Sequence, residues 1–208
     1  MGFNHIAATD YYQYGEVGKQ VYETFPIKLG MSTYMIGGQV YNVDSAMANF
    51  NFVKKKPTDS AASGTALATG SKTNKARLSV DSNKVKLLTV LEKAEKIGKS
   101  TGVVSTVPFS NATPAAFVAH NASRYEYQQI AEEMIMKSNV DVIIGGGHPY
   151  YNPDGTKISS LAQRVVGEKE KYDMKDGDKS SKEQFKYVGG KEVWDLAVEG
   201  KAGADADN

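Results

Sequence analysis

The sequence predicts an α/β fold with a largely parallel sheet, and three observations carry that prediction. From residue 89 to residue 147, helix-like and strand-like stretches alternate: helix, strand, helix, strand. The two strand-like stretches, Thr101-Gly102-Val103-Val104-Ser105-Thr106 and Val140-Asp141-Val142-Ile143-Ile144, read as short buried strands. Apolar runs of this kind are what strands covered on both faces look like. The chain also has 208 residues, enough for one domain with a real core.

The elements follow in order. Phe3 to Tyr14 mixes apolar and polar positions in a helical manner and ends at Gly15. Tyr22 to Phe25 leads through Pro26 into Ile27-Lys28-Leu29, and Met31 to Met35 reads as a strand entering a turn at Gly37-Gly38. Lys54-Lys55-Lys56 is a small basic run, read as a solvated face. Thr58 to Gly70 holds a short helix of small residues, with Ser60 at or just before its first turn and Gly70 as its C-terminal stop. Thr89 and Glu92 have capping-box spacing, Leu88, Leu91, Ala94 and Ile97 recur at helical intervals, and Gly98 closes the helix.

After the first buried strand, Thr113-Pro114 opens a further helix that runs through Phe117, with Pro114 in its first turn and Thr113 as a natural N-cap. Glu126 to Lys137 is the next helix, and the second strand ends at Gly145-Gly146-Gly147. This core spans residues 1–150. A surface excursion of about residues 151–186 follows, opening with a turn at Asn152-Pro153-Asp154-Gly155. Tyr187 to Ala197 returns to structure around Trp194, and a tail of about residues 200–208 has little to bury.

Composition excludes several classes of function. The formal net charge is +1, so nothing marks a nucleic-acid or membrane surface. There is no cysteine, hence no disulfide and no thiolate metal site. No apolar run is long enough to span a bilayer, and Met1 to His5 does not begin a signal peptide. The three histidines, His5, His120 and His148, have no metal-ligand spacing. His120 reads as a satisfied core histidine and His148 as a loop residue.

Two stretches carry chemistry. In Thr58-Asp59-Ser60-Ala61-Ala62-Ser63-Gly64-Thr65, a hydroxyl stands at a helix N-terminus. Unpaired N–H groups and a partial positive charge gather there, which suits an anion such as phosphate. The residues alone leave two readings open: a nucleophilic serine, or an Asp or Ser cap on a buried helix. The second stretch is Asn111-Ala112-Thr113-Pro114-Ala115-Ala116-Phe117-Val118-Ala119-His120-Asn121-Ala122-Ser123-Arg124. A lone arginine is usually solvated, yet its planar fork also meets two phosphate oxygens at once.

Together these stretches resemble the alkaline phosphatase family, whose nucleophile motif is a Thr/Asp-Ser-Ala run and whose second motif joins Ala-Thr-Pro-Ala-Ala to an Ala-His pair and a Ser/Asn-Arg. Pro57 stands where the family usually carries a β-branched residue. The resemblance implies a three-layer α/β/α fold, present here in part, and hydrolysis of phosphate monoesters through a phosphoserine intermediate. It implies Ser60 as nucleophile and metal ligand, Arg124 as the phosphate-binding residue oriented by Asp59, and Thr113 as a magnesium ligand. Asn111 falls at a position that varies in the family and tunes the metal site through water. Two zinc ions and one magnesium ion are the implied cofactors.

The zinc-ligand segments of the family are absent from this sequence, so the expectation is a piece of a longer enzyme. Taken alone, the chain is expected to be nearly inactive and to expose apolar surface on its sheet. A homodimer and a periplasmic or secreted location are implied for the full-length protein. A non-catalytic anion-binding module, and a phosphodiesterase or sulfatase relative on the same fold, are the competing readings.

Overall fold

The computed structural model describes residues 3–29, 33–152, 154–158 and 183–203. The chain divides into two compact units, Met1–Ser32 and Thr33–Asn208. In the first, helix α1 (Phe3–Tyr14) ends where Gly15 adopts a left-handed φ of 76° and returns its N–H to Tyr11 at 2.9 Å. The buried Asp10 carboxylate gathers the following loop, accepting from the N–H of Gly18 at 2.7 Å. A 3-10 turn (Val21–Thr24) completes the described part of this unit.

The second unit carries helices α2 (Val43–Ala48), α3 (Ser60–Thr69), α4 (Val90–Glu95), α5 (Ala112–Ala115), α6 (Tyr127–Glu132) and α7 (Lys191–Val198). Strands β1 (Gly102–Pro108) and β2 (Val142–Gly146) pair in parallel, with Val103 opposite Ile143 and Val104 opposite Ile144. The α/β class with a parallel sheet is therefore present. The core gathers around Ala61, Leu78, Val103, Ala112, Ala115, Ala116, Val118, Ala119, Ile130 and Met134. Small side chains on α3 and α5 let these two helices approach closely: a Cβ added to Gly64 would sit 2.9 Å from the Cβ of Ala116.

Several local expectations hold. Gly70 ends α3 at a left-handed φ of 75°, and α4 has its capping box, with Thr89 and Glu92 each accepting the other's backbone N–H. Others are corrected. Among the described residues, 33–35 form no strand; Ile36 makes one isolated parallel bridge to Asn74. The two strands are not buried on both faces. Val103 is buried, but Val104 and Ile144 are 73% and 57% exposed. Period-two alternation places these two on one face, and no described element covers it.

Thr113 is not the cap of α5. Asn111 occupies that place, and Thr113 lies inside the first turn, because the helix begins at Ala112. The helix beginning near Glu126 changes character halfway, passing at Glu133–Lys137 into a π-turn. Most of the expected surface excursion, and the end of the tail, lie outside the described residues. Where description resumes, Phe185, Tyr187 and Val188 are buried. Ser110 donates its hydroxyl to the carbonyl of Tyr187 at 3.1 Å, so this segment is tied to the loop after β1.

Candidate active site

Asp59 stands in extended conformation as the N-cap of α3, and its Oδ1 accepts the N–H of Ala62 at 3.1 Å. That cap fixes Ser60 as the first helical residue, exposed at the helix end. The other oxygen of Asp59, Oδ2, accepts from the N–H of Ala76 at 3.1 Å and from Nη1 of Arg124 at 3.3 Å. The same Nη1 donates to Oγ of Ser60 at 2.7 Å. Nucleophile candidate, arginine and carboxylate thus form one closed group, joining residues 64 and 65 positions apart.

The loop between Ser71 and Asp81 builds this arrangement. Ala76 gives its N–H to Asp59 and takes the N–H of Arg124 on its carbonyl at 2.8 Å. It does so at a φ of 64°, a left-handed conformation uncommon for a residue with a Cβ. Two positions on, Leu78 and Asn121 exchange backbone hydrogen bonds, both of 2.9 Å. From inside α3, the buried Thr65 donates to the carbonyl of Arg77 at 3.1 Å and accepts the N–H of Ser79 at 2.9 Å. Ser79 in turn donates its hydroxyl to the carbonyl of Ala116. None of Thr65, Ala76, Leu78 and Ser79 is singled out by the sequence, because the loop has no periodicity. Nothing in α3 marks Thr65 in the sequence either, since Ser60, Ser63 and Thr69 carry hydroxyls in the same helix.

The Arg124 side chain is 18% exposed and that of Asp59 13%. Nε of Arg124 is buried and has no hydrogen-bond partner among the described residues. A buried donor left open beside an exposed hydroxyl suits an incoming anion, which would supply the missing acceptor. The N-terminus of α3 adds its own partial positive charge at the same place.

Thr113 is exposed on α5, near the Gly64 turn of α3, and among the described residues it makes no hydrogen bond to Asp59, Ser60 or Arg124. Among those residues no group of three or more histidines and carboxylates is arranged to hold a metal ion. Ser60, Thr113 and Asn111 offer only neutral oxygen or amide donors, and Asp59 is already engaged by three N–H groups. This set does not fit a zinc cage, which needs three or four ligands drawn from His, Asp, Glu or Cys. Of the histidines, His120 has its side chain only 4% exposed. His148 lies with its ring centroid 5.1 Å from those of both Tyr151 and Trp194, and burial there lowers its pKa.

The family described as alkaline phosphatase matches residues 1–201. Alkaline phosphatase 4 of Bacillus subtilis is 50% identical over 100 residues, covering 46% of this chain and 22% of its own length. Alkaline phosphatase 3 of the same organism is 35% identical over 152 residues, covering 71% and 30%. The chain therefore spans less than a third of either relative. The crystal structure of a cold-active alkaline phosphatase from a psychrophilic Shewanella superposes with a TM-score of 0.55 at 39% identity, over 73% of this chain and 35% of that one. The Thermus thermophilus alkaline phosphatase gives 0.52 at 27% identity, over 74% and 29%. With nearly the whole chain matched and the fold shared, the protein belongs to the alkaline phosphatase family.

Proposed function

We propose that this chain carries the nucleophile and the phosphate clamp of a phosphomonoesterase. Ser60 Oγ attacks the phosphorus in line, the ester oxygen leaves, and water later cleaves the phosphoserine. Arg124 holds the phosphoryl oxygens and stabilises negative charge developing on Oγ. Asp59 orients the guanidinium while capping the helix that presents the serine. The observation that carries this reading is the 2.7 Å contact from Arg124 Nη1 to Ser60 Oγ, braced by the shared Asp59. Two zinc ions and a magnesium ion are part of the resemblance; the described residues supply no cage for them, and no step is assigned to them.

In an active preparation containing this sequence, label from radioactive phosphate trapped at acid pH is expected on Ser60. Ser60→Ala removes it and Ser63→Ala leaves it. Label that persists in Ser60→Ala overturns the assignment. The lack of a metal-holding group among the described residues also favours a second reading, an anion-binding module without turnover. Phosphate binding by the 208-residue chain with no hydrolysis of p-nitrophenyl phosphate supports that second reading. Metal-dependent hydrolysis that Ser60→Ala abolishes excludes it.

A further inference from the structure

His120 lies four residues before Arg124, and its side chain is only 4% exposed. Nδ1 is 3.3 Å from Oε1 of Glu133, while Nε2 is 3.1 Å from the carbonyl of Leu87 and 3.5 Å from Oε2 of Glu92. Every one of these partners is an acceptor. A neutral imidazole has a single N–H and can serve only one side of the ring; an imidazolium serves both. Burial pushes the His120 pKa down, but the hydrogen bond to Glu133 and the charge of Glu92 outweigh it and hold the ring above its ordinary value. Glu133 is held below the usual carboxyl range: burial pushes it up, and His120 and Lys86 more than offset that.

These contacts bear on Arg124 through one continuous set of backbone bonds. Leu87, which accepts from His120, gives its own N–H to Ser79 at 2.8 Å, and Val80 bridges Lys86. Leu78 then pairs with Asn121, and Ala76 receives the N–H of Arg124. The ring therefore grips one end of a hairpin whose other end seats the clamp. The charged groups facing it are Glu92 from α4, Glu133 from the π-turn and Lys86 from the hairpin, 3.3 Å from Glu133. A further pair, Glu132–Lys137, joins the last residue of α6 to the end of the same turn. A cleft of about 970 Å³ is lined in part by Lys86, Glu92, His120 and Glu133.

We propose that His120 is a positioning residue for the phosphate clamp. As a doubly protonated ring it locks the hairpin of residues 76–87 to α4 and the π-turn, and so fixes Arg124 beside Ser60. The proposal rests on the reading of Arg124 as an anion clamp.

The test uses the 208-residue chain and sulfate, whose charge is constant from about pH 5 to about pH 9, so any step in binding belongs to the protein. Binding is followed by titration, and the clamp itself by the NMR signal of Arg124 Nε–H without anion. Sulfate affinity is expected to fall several-fold as pH rises through the His120 titration, with the Nε–H signal moving over the same range. In His120→Gln both responses are flat, and affinity stays at the weak, high-pH level throughout. Glu133→Gln, which keeps the ring, shrinks both steps and serves if His120→Gln fails to fold. An unchanged pH step in a folded His120→Gln, or in Glu133→Gln, overturns the positioning role. Sulfate binding that Arg124→Ala leaves intact, or that the unaltered chain never shows, overturns instead the clamp reading on which the proposal stands.

Discussion

Asp59 answers three donors with two oxygens, and this explains why the Ser60 helix and Arg124 cannot be considered apart. One oxygen caps α3 through Ala62, and the other holds both Ala76 and Arg124. Replacing it by alanine removes a cap and strands a partly buried N–H, together about 2–4 kcal/mol by the usual sizes of these effects. Asp59→Asn keeps the cap oxygen but turns an amide N–H₂ toward two donors, so the loss at Ala76 and Arg124 remains. Urea unfolding should rank the native chain above Asp59→Asn and Asp59→Ala last. A folded Asp59→Ala as stable as the native chain would contradict the bracing role. At this scale the sequence motif marks Asp59, Ser60 and Arg124, because each lies in a stretch of unusual composition. Their meeting is not legible, since it depends on Ala76 adopting a left-handed backbone in a loop with no pattern. Thr113 shows the same gap: a threonine before proline reads as a cap, but Asn111 takes that place two residues earlier.

Among the elements, the contact of α3 with α5 puts local preference and packing in opposition at Gly64. Helix propensity alone favours Gly64→Ala by about 1 kcal/mol. The added methyl would meet Ala116 Cβ at 2.9 Å, with Ala112 O at 3.6 Å and the Cα of Thr113 at 3.7 Å. Ala116 belongs to the core and has no flexible end to move aside, so overpacking of about 1–3 kcal/mol is expected to win. Gly64→Ala should lower the urea midpoint and disturb the Ser60 and Arg124 NMR signals. A midpoint higher than that of the native chain would show that the helices separate without penalty. Gly70 is the control: its left-handed φ of 75° is open to space, so Gly70→Ala loses stability through the backbone alone and leaves the site signals in place. Helix ends such as Gly70 and the Thr89–Glu92 box are legible because they are settled by neighbours in sequence. Strand burial is not, because it depends on what lies over the sheet, and Val104 and Ile144 look in sequence like any core residues.

Across the whole molecule, His120 and His148 oppose each other in pH dependence. His120 has a raised pKa, so its contribution to stability is complete below the ordinary imidazole value of 6.5 and is lost as pH rises through its folded value. His148 is lowered by burial. As pH falls below 6.5 the unfolded chain takes up a proton that the folded His148 refuses, so stability falls in that direction. Glu133 is held below its ordinary 4.5, and what it contributes disappears as pH falls through its folded value. The His120 window lies above the ordinary imidazole value of 6.5 and the windows of His148 and Glu133 lie below their own ordinary values, so these groups give the native chain a stability maximum near 6.5, and differences between variants assign each limb to its group. Subtracting the urea-unfolding profile of His120→Gln from the native profile should leave a single limb that descends toward alkaline pH. The same subtraction with His148→Gln should leave a limb that descends toward acid pH. Glu133→Gln removes the acid limb of the His120 pair and, by taking away the carboxylate that raises the ring, brings its alkaline limb to lower pH. A His120 difference profile that instead descends toward acid pH below the ordinary value of 6.5, as that of His148 does, would mean that the ring is neutral in the folded chain. In that case one of its two contacts, to Leu87 or to Glu133, would not be a hydrogen bond.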